Sequence, residues 1–198
     1  MQIDKKVVQN YYDKKQILNF NEETAKKEQK IIMPYILKKV KPSILDLGCG
    51  NGRYARLLKN HYIRYTGVDF SVNFIEKCQQ EYYKNCKFIW DKVEDFCEGN
   101  YDVILLFGVI VYLNDEDIKQ VVKNCKKMLN EDGIIIVRDI LTEIRFFRKN
   151  KMFHTPYQQI RRTEEEYYDF FNDADFYCDK QFAIPDTGFT GFIFKVDW

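Results

Sequence analysis

Three glycines at alternate positions, Gly48, Gly50 and Gly52, follow the apolar run Ile44-Leu45-Asp46-Leu47 and lead into a helix-like pattern opening at Arg53-Tyr54. Glycine is required where backbone turns sharply or approaches a ligand closely. A glycine loop feeding a helix N-terminus presents free N–H groups at the positive end of the helix dipole. Such a loop grips a small, adenosine-bearing cofactor. Position 53, where a dinucleotide fingerprint has its third glycine, is Arg53, which disfavours nicotinamide. A second strand-like run, Arg64-Tyr65-Thr66-Gly67-Val68, ends in Asp69, where an α/β cofactor site puts the carboxylate that accepts from ribose hydroxyls. Asp69 also suits the cap of the next helix, with Ser71 two residues on, and both roles can hold together.

The ordered set ILDLGCGNG, YTGVDFS, YDVILLFGVIVYL and CKKMLNEDGIIIVRD, within roughly residues 20–140, resembles the class I S-adenosylmethionine-dependent methyltransferases. The resemblance implies S-adenosyl-L-methionine as cofactor and S-adenosyl-L-homocysteine as product. It also implies that Gly48, Cys49, Gly50 and Gly52 lie against the methionine portion and sugar, with Asp46 near the methionine amino group. Asp69 would bind both ribose hydroxyls, Phe70 would pack on the adenine face, and Phe107 would begin the active-site floor. The adenine-edge turn corresponds to Asp91-Lys92-Val93-Glu94-Asp95, with Val93 placed for its backbone N–H. Lys92 stands where the family has its acid, so Asp91 or Glu94 must substitute or the contact is lost.

These residues need elements to hold them. Short β-rich runs recur at 43–47, 64–69, 87–90, 101–106 and 133–138, separated by helical patterns near 53–60, 73–84 and 115–130. That alternation predicts a Rossmann-like, doubly wound, mostly parallel sheet with helices on both faces. A helix near 21–40, with Asn21 as a possible cap, precedes it and closes at Pro42. After a helix near 163–174, the runs 176–183 and 189–196 read as an antiparallel C-terminal strand pair, completing the seven strands the resemblance implies. The expected organisation is one domain over 1–198, with an N-terminal helical cap at 1–40 and a substrate-binding insertion at 141–162.

Composition agrees: 198 residues with 45% hydrophobic content can bury one substantial core. Lys and Arg total 31 against 30 Asp and Glu, so no strong overall field attracts nucleic acid, which is not the expected partner. No apolar run is long enough to span a membrane and the first residues lack a signal-peptide core, so a cytosolic monomer or homodimer is expected. Six cysteines scatter without a C-x-x-C pair, which argues against both a metal and a disulfide framework. Cys49 reads as a compact loop residue rather than a nucleophile, since no base is evident beside it.

The acceptor should meet the cofactor outside the strand ends, over Phe107, Tyr112 and Asp139. Residues 143–162 hold Arg145, Arg148, Lys149, Lys151, Arg161 and Arg162 with one acid, and interleave Phe146, Phe147, Phe153 and Tyr157. This pattern suits an anionic acceptor such as a sugar or sugar phosphate, with Arg148, Tyr157 and Arg161 as contacts; it equally suits a solvated charge run. His154 is the histidine near the site and a candidate general base, with Asp139 and Tyr112 as competitors. Tyr11-Tyr12-Asp13 either folds over the ligands, placing Tyr11 against substrate, or lies on a surface helix. The activities consistent with this pattern are methyl transfer to a small metabolite, methyl transfer to protein or RNA, and cofactor binding without chemistry.

Overall fold

A computed structural model describes residues 2–14, 22–38, 40–81, 84–152 and 155–196. The chain runs α1 (Lys5–Lys14), α2 (Glu22–Ile36), β1 (Ser43–Leu47), α3 (Arg53–Leu57), β2 (Arg64–Asp69), α4 (Val72–Gln80), β3 (Cys86–Trp90) and β4 (Tyr101–Phe107). A 3-10 turn at Ile110–Tyr112 then leads to α5 (Asp115–Met128), β5 (Leu129–Asp139), β6 (Phe146–Met152), β7 (Thr155–Arg161), α6 (Glu164–Asn172), β8 (Phe176–Ile184) and β9 (Phe189–Val196). Seven strands form one sheet in the order β3-β2-β1-β4-β5-β9-β8, and β6-β7 form a separate pair. Strands β1 to β5 are parallel, while β9 runs antiparallel between β5 and β8. Strand order reverses between β1 and β4, which is where an open α/β sheet leaves a crevice at its carboxyl ends.

Side chains alternate across the sheet with period two. Leu45, Leu47, Ile104, Leu106, Ile135 and Val137 pack under α5 and α6, joined by Val121, Val122 and Phe171. Ile44, Val103, Leu105, Ile134 and Ile136 face the other way, onto Ile32 and Ile36 of α2, Ala55 of α3 and Ile75 of α4. Both faces are covered, so the central strands are apolar almost throughout. Helix α5 starts on a capping box between Asn114 and Asp117, carries three acids in its first turn and ends on Lys126 and Lys127, in accord with its dipole.

Several boundaries differ from the sequence reading: α3 ends at Leu57 rather than near 60, and α4 at Gln80 rather than near 84. Helix α2 ends at Ile36 rather than near 40, with Pro34 accommodated inside it, and the Asn21 cap lies outside the described residues. β5 starts at Leu129 instead of 133, because Leu129 already pairs with Tyr101 before a register shift brings Ile134 opposite Val103. The sequence reading makes 141–162 a substrate-binding insertion and assigns no strands to it. Its greater part is a hairpin, with Phe146 opposite Arg161 and Met152 opposite Thr155.

Two of that segment's cations hold the hairpin in place. Arg162, fully buried, donates to the carbonyls of Ile110 (3.0 Å) and Leu113 (2.7 Å) and pairs with Asp115 (2.8 Å). Arg145 bridges Asp115 and Glu166, both at 2.8 Å. Against the cost of partial burial, these two guanidinium groups hold the Asp115 carboxyl below its ordinary range.

Candidate functional site

A cavity of about 360 Å³ opens over the carboxyl ends of β1 and β4. Its inner wall is the glycine loop. Gly48, Gly50 and Gly52 all have positive φ, at 78°, 52° and 72°, the left-handed region that disfavours side chains. A Cβ on Gly48 would stand 2.4 Å from Val109 Cγ2, so the loop is pressed against the chain that leaves β4. The Gly50 N–H donates to Asp69 Oδ2 (2.8 Å) and the Ser71 N–H donates to Asp69 Oδ1 (2.9 Å). Asp69 therefore does two jobs: it fixes the glycine loop and the start of α4, and it keeps lone pairs for a ligand.

Asp46, two residues before Gly48, is buried and accepts from the Tyr65 hydroxyl. Burial pushes the carboxyls of both Asp46 and Asp69 up to about 6, with hydrogen bonds only partly opposing it. Two desolvated carboxylates in one cavity fit a ligand that brings positive charge and hydroxyls. S-adenosylmethionine, with its sulfonium, ammonium and ribose diol, is such a ligand. The Cys49 thiol is buried and held well above its ordinary value by desolvation, so it contributes bulk and no nucleophile.

Beside this wall Arg53 and Tyr54, which open the helix after the glycine loop, join a cluster centred on Glu28, a residue the sequence did not single out. Glu28 of α2, 1% exposed, pairs with Arg53 Nη2 and Arg138 Nε, each at 2.8 Å, and accepts from the Tyr54 hydroxyl. Arg138 also lies over the rings of Phe107 (5.3 Å) and Phe189 (4.5 Å). Arg53 and Arg138 both reach the cavity, so their two charges lie between Glu28 behind and Asp46 in front. Nothing in the local sequence around Glu28 marks it, because its partners come from α3 and β5.

The outer wall is built by α1 and β7. Lys5, Val8, Gln9 and Tyr12 line the cavity at i, i+3, i+4 and i+7, one face of α1. Helix α1 is clasped by Lys5 on Glu94 and Asp117 (2.7 Å each), by the Ile3 N–H on Asn114 (2.7 Å), and by Asp13 accepting from the Ser71 hydroxyl (2.9 Å). Tyr157, Gln159 and Arg161 line the cavity from alternate positions of β7. Gln159 Nε2 donates to the Tyr112 hydroxyl (2.8 Å), which also hydrogen-bonds with the Tyr157 hydroxyl (3.2 Å). Desolvation drives the Tyr12, Tyr112 and Tyr157 hydroxyls well above their ordinary values, so they stay protonated. Tyr112 thus presents a protonated, hydrogen-bonded hydroxyl to the cavity. Asp139, at the end of β5, is buried, and burial raises its carboxyl against the pull of Arg138 and the Tyr167 hydroxyl.

Of the sequence-selected residues, Asp46, Gly48, Cys49, Gly50, Asp69, Phe70, Val93, Phe107, Tyr112, Asp139, Tyr157 and Arg161 meet at this cavity. Four do not line it. Gly52 turns the chain into α3, where a Cβ would meet Cys78 and Phe88. Asp91 accepts from the Lys92 N–H (2.8 Å), and the acid that reaches the cavity in that turn is Glu94. Tyr11 sits beside the α1 stripe and packs edge-on against Tyr12 and Tyr157, both with centroids 5.1 Å away. Arg148 is exposed on β6. His154 lies outside the described residues. Among the described residues no group of side chains is suited to hold a metal ion, and no helix is long and apolar enough to cross a membrane.

Comparison with known proteins agrees with this geometry. Residues 45–135 match the model of the methyltransferase domain. An uncharacterized protein of Methanocaldococcus jannaschii is 26% identical over 76% of this chain and 70% of its own length. Demethylmenaquinone methyltransferase of Thermotoga maritima is 27% identical over 71% of this chain and 61% of its own. In structure, an S-adenosylmethionine-dependent methyltransferase of Leishmania major superposes with a TM-score of 0.80, covering 96% of this chain and 82% of that one at 18% identity.

Proposed function

We propose that the chain, whose residues 45–135 match the methyltransferase-domain model, is a class I S-adenosylmethionine-dependent methyltransferase that methylates a small acceptor carrying an acidic group, held between β7 and the cofactor. The observation that carries this reading is Arg161. It is 8% exposed, it lines the cavity, and it makes no ion pair among the described residues. Its charge acts on Asp139 in the same cavity but forms no ion pair with it, so the guanidinium has room for an anion, and a phosphate or carboxylate on the acceptor matches its fork. The wall of α1 and β7 favours a small acceptor over a protein or RNA strand, which would need that wall displaced.

When bound, the cofactor supplies a methyl group already activated by the positive charge on sulfur. The remaining work falls to this chain's residues. Asp69 and the Gly48–Gly50 loop would hold the ribose, Asp46 the methionine ammonium, and Phe70 and Val93 the adenine, with Phe107 as the floor, all of them residues that line the cavity. Holding the acceptor in attack geometry contributes roughly 7–11 kcal/mol to lowering the barrier. Asp139 is the group that takes the acceptor's proton, since burial makes its carboxylate more basic than a solvated one. Incubating the protein with methyl-labelled cofactor and separated small-molecule, protein and RNA fractions tests the reading. Label confined to protein or RNA would refute it.

A further inference from the structure

Gln159 occupies an unusual position on the acceptor wall. It is 4% exposed, its Nε2 is spent on Tyr112, and its Oε1 is buried without a hydrogen-bond partner. A buried amide oxygen left unsatisfied is costly, and such groups in native proteins have a reason. Here the side chain lines the cavity two residues before Arg161, on the same face of β7. The missing partner is therefore a donor on the acceptor.

Asp139 lines the same cavity and, as the base proposed above, takes a proton from the acceptor. The count of protons then separates the possible nucleophiles. A hydroxyl has one proton: given to Asp139, it leaves Gln159 unserved, and kept on Gln159 it leaves the oxygen unactivated. An ammonium has three. One passes to the Asp139 carboxylate, freeing the nitrogen lone pair, and the neutral amine still donates another to Gln159 Oε1.

We infer that the acceptor is a small amino acid-like or amino phosphate-like compound whose nitrogen is the methylated atom, with Gln159 as the residue that selects amine over hydroxyl. The inference rests on the small-acid reading above and replaces the sugar hydroxyl that the sequence favoured. The Tyr112–Tyr157 hydroxyl pair fixes the amide by taking its Nε2, so that the oxygen is the end presented to the ligand.

Calorimetry on the full chain saturated with S-adenosylhomocysteine tests this with matched probes: 2-aminoethyl phosphate against 2-hydroxyethyl phosphate, and glycine against glycolate. The amine of the better-bound pair should bind about 10- to 100-fold tighter than its hydroxyl twin, the range expected for one buried hydrogen bond. Gln159→Leu should erase that preference while leaving S-adenosylhomocysteine affinity within about twofold, and Gln159→Glu, which keeps an acceptor oxygen, should retain it. Equal or tighter binding of the hydroxyl twin, or a preference that survives Gln159→Leu, overturns the inference. If Gln159→Leu fails to fold, Gln159→Glu decides alone, and loss of preference in that folded variant counts against it. Binding of neither acid pair, with cofactor product bound normally, overturns the small-acid reading itself.

Discussion

The two walls of the cavity are made in opposite ways. The inner wall is backbone: a glycine loop with positive φ, locked by two N–H donations to one carboxylate, all within residues 46–71. The outer wall is side chains on α1 and β7, brought together by bonds such as Ile3 to Asn114 and Asp4 to Gln158, more than a hundred residues apart in sequence. A backbone site is hard to alter by substitution, because its shape follows from chain geometry. A side-chain wall can be rebuilt by substitution without disturbing the sheet, which is what lets one cofactor fold serve many acceptors.

The sharpest break of that contrast is Asp69→Asn. The isostere keeps the volume but removes the charge and turns one acceptor into a donor facing the Gly50 or Ser71 N–H. With charged hydrogen bonds worth roughly 1.5–3 kcal/mol each, cofactor affinity should fall about 100-fold or more, read by calorimetry. Gly50→Val should do comparable harm through its φ of 52°, which a branched side chain adopts only under strain. Affinity within threefold of the parent in a folded Asp69→Asn protein would remove the ribose assignment.

On the outer wall, Arg161→Ala should raise the Michaelis constant for the acceptor about 10- to 100-fold and leave cofactor affinity nearly unchanged, since a uniform binding contact is lost. Arg148→Ala, on the exposed face of β6, should change neither. Steady-state kinetics on the identified acceptor reads both. A matching rise in the two variants would mean that the hairpin's general charge, and not the buried guanidinium, attracts the acceptor.

This division also explains what the sequence revealed. The glycine loop, Asp46, Asp69 and the parallel strands are contiguous patterns with fixed spacing, so their roles could be read along the chain. The α1 stripe at 5, 8, 9 and 12 carried a helical period that favours Tyr12 over Tyr11, and period two over 157–161 would have exposed Gln159 once β7 was recognised as a strand. Glu28 left no such trace. Its significance comes from Arg53 and Arg138, and a buried ion pair between distant elements has no signature in either local sequence. Arg145 and Arg162 misled for the same reason, their charge being spent on Asp115 and Glu166.

Acidity probes the inner wall more gently. Asp46 and Asp69, both pushed up to about 6 by burial, start from an ordinary value of 3.8. The folded protein therefore binds more protons than the unfolded chain between about pH 4 and 6, and their contribution to stability falls as pH rises through that interval. Cofactor affinity should move the other way, since the cation needs both charges, weakening about tenfold per pH unit and per group below 6. Thermal melts of free and cofactor-loaded protein, with Asp46→Asn for comparison, read the two trends. A cofactor affinity flat from pH 7 to about 5 would show that the carboxylates are ionised there and their burial is less complete than the cavity implies.

The smallest effect belongs to the clasp between the walls. Lys5 reaches both Glu94 and Asp117, and although desolvation works against its charge, the two carboxylates win and hold the ammonium above its ordinary range. Its side chain remains 42% exposed, so solvent screens both pairs, and each is worth only about 0.2–1 kcal/mol. Lys5→Met keeps the aliphatic stem and should cost about 1 kcal/mol of stability and weaken cofactor binding only severalfold, with high salt shrinking the difference from wild type. The result separates two ways of holding α1. If the loss is small and vanishes in salt, the helix is kept in place by Val8, Tyr11 and Tyr12 packed on Tyr112, Tyr157 and Phe70, and the charges only set its register. A loss above tenfold that persists in high salt would mean that Lys5 acts on the ligand directly, across the cavity it helps to line.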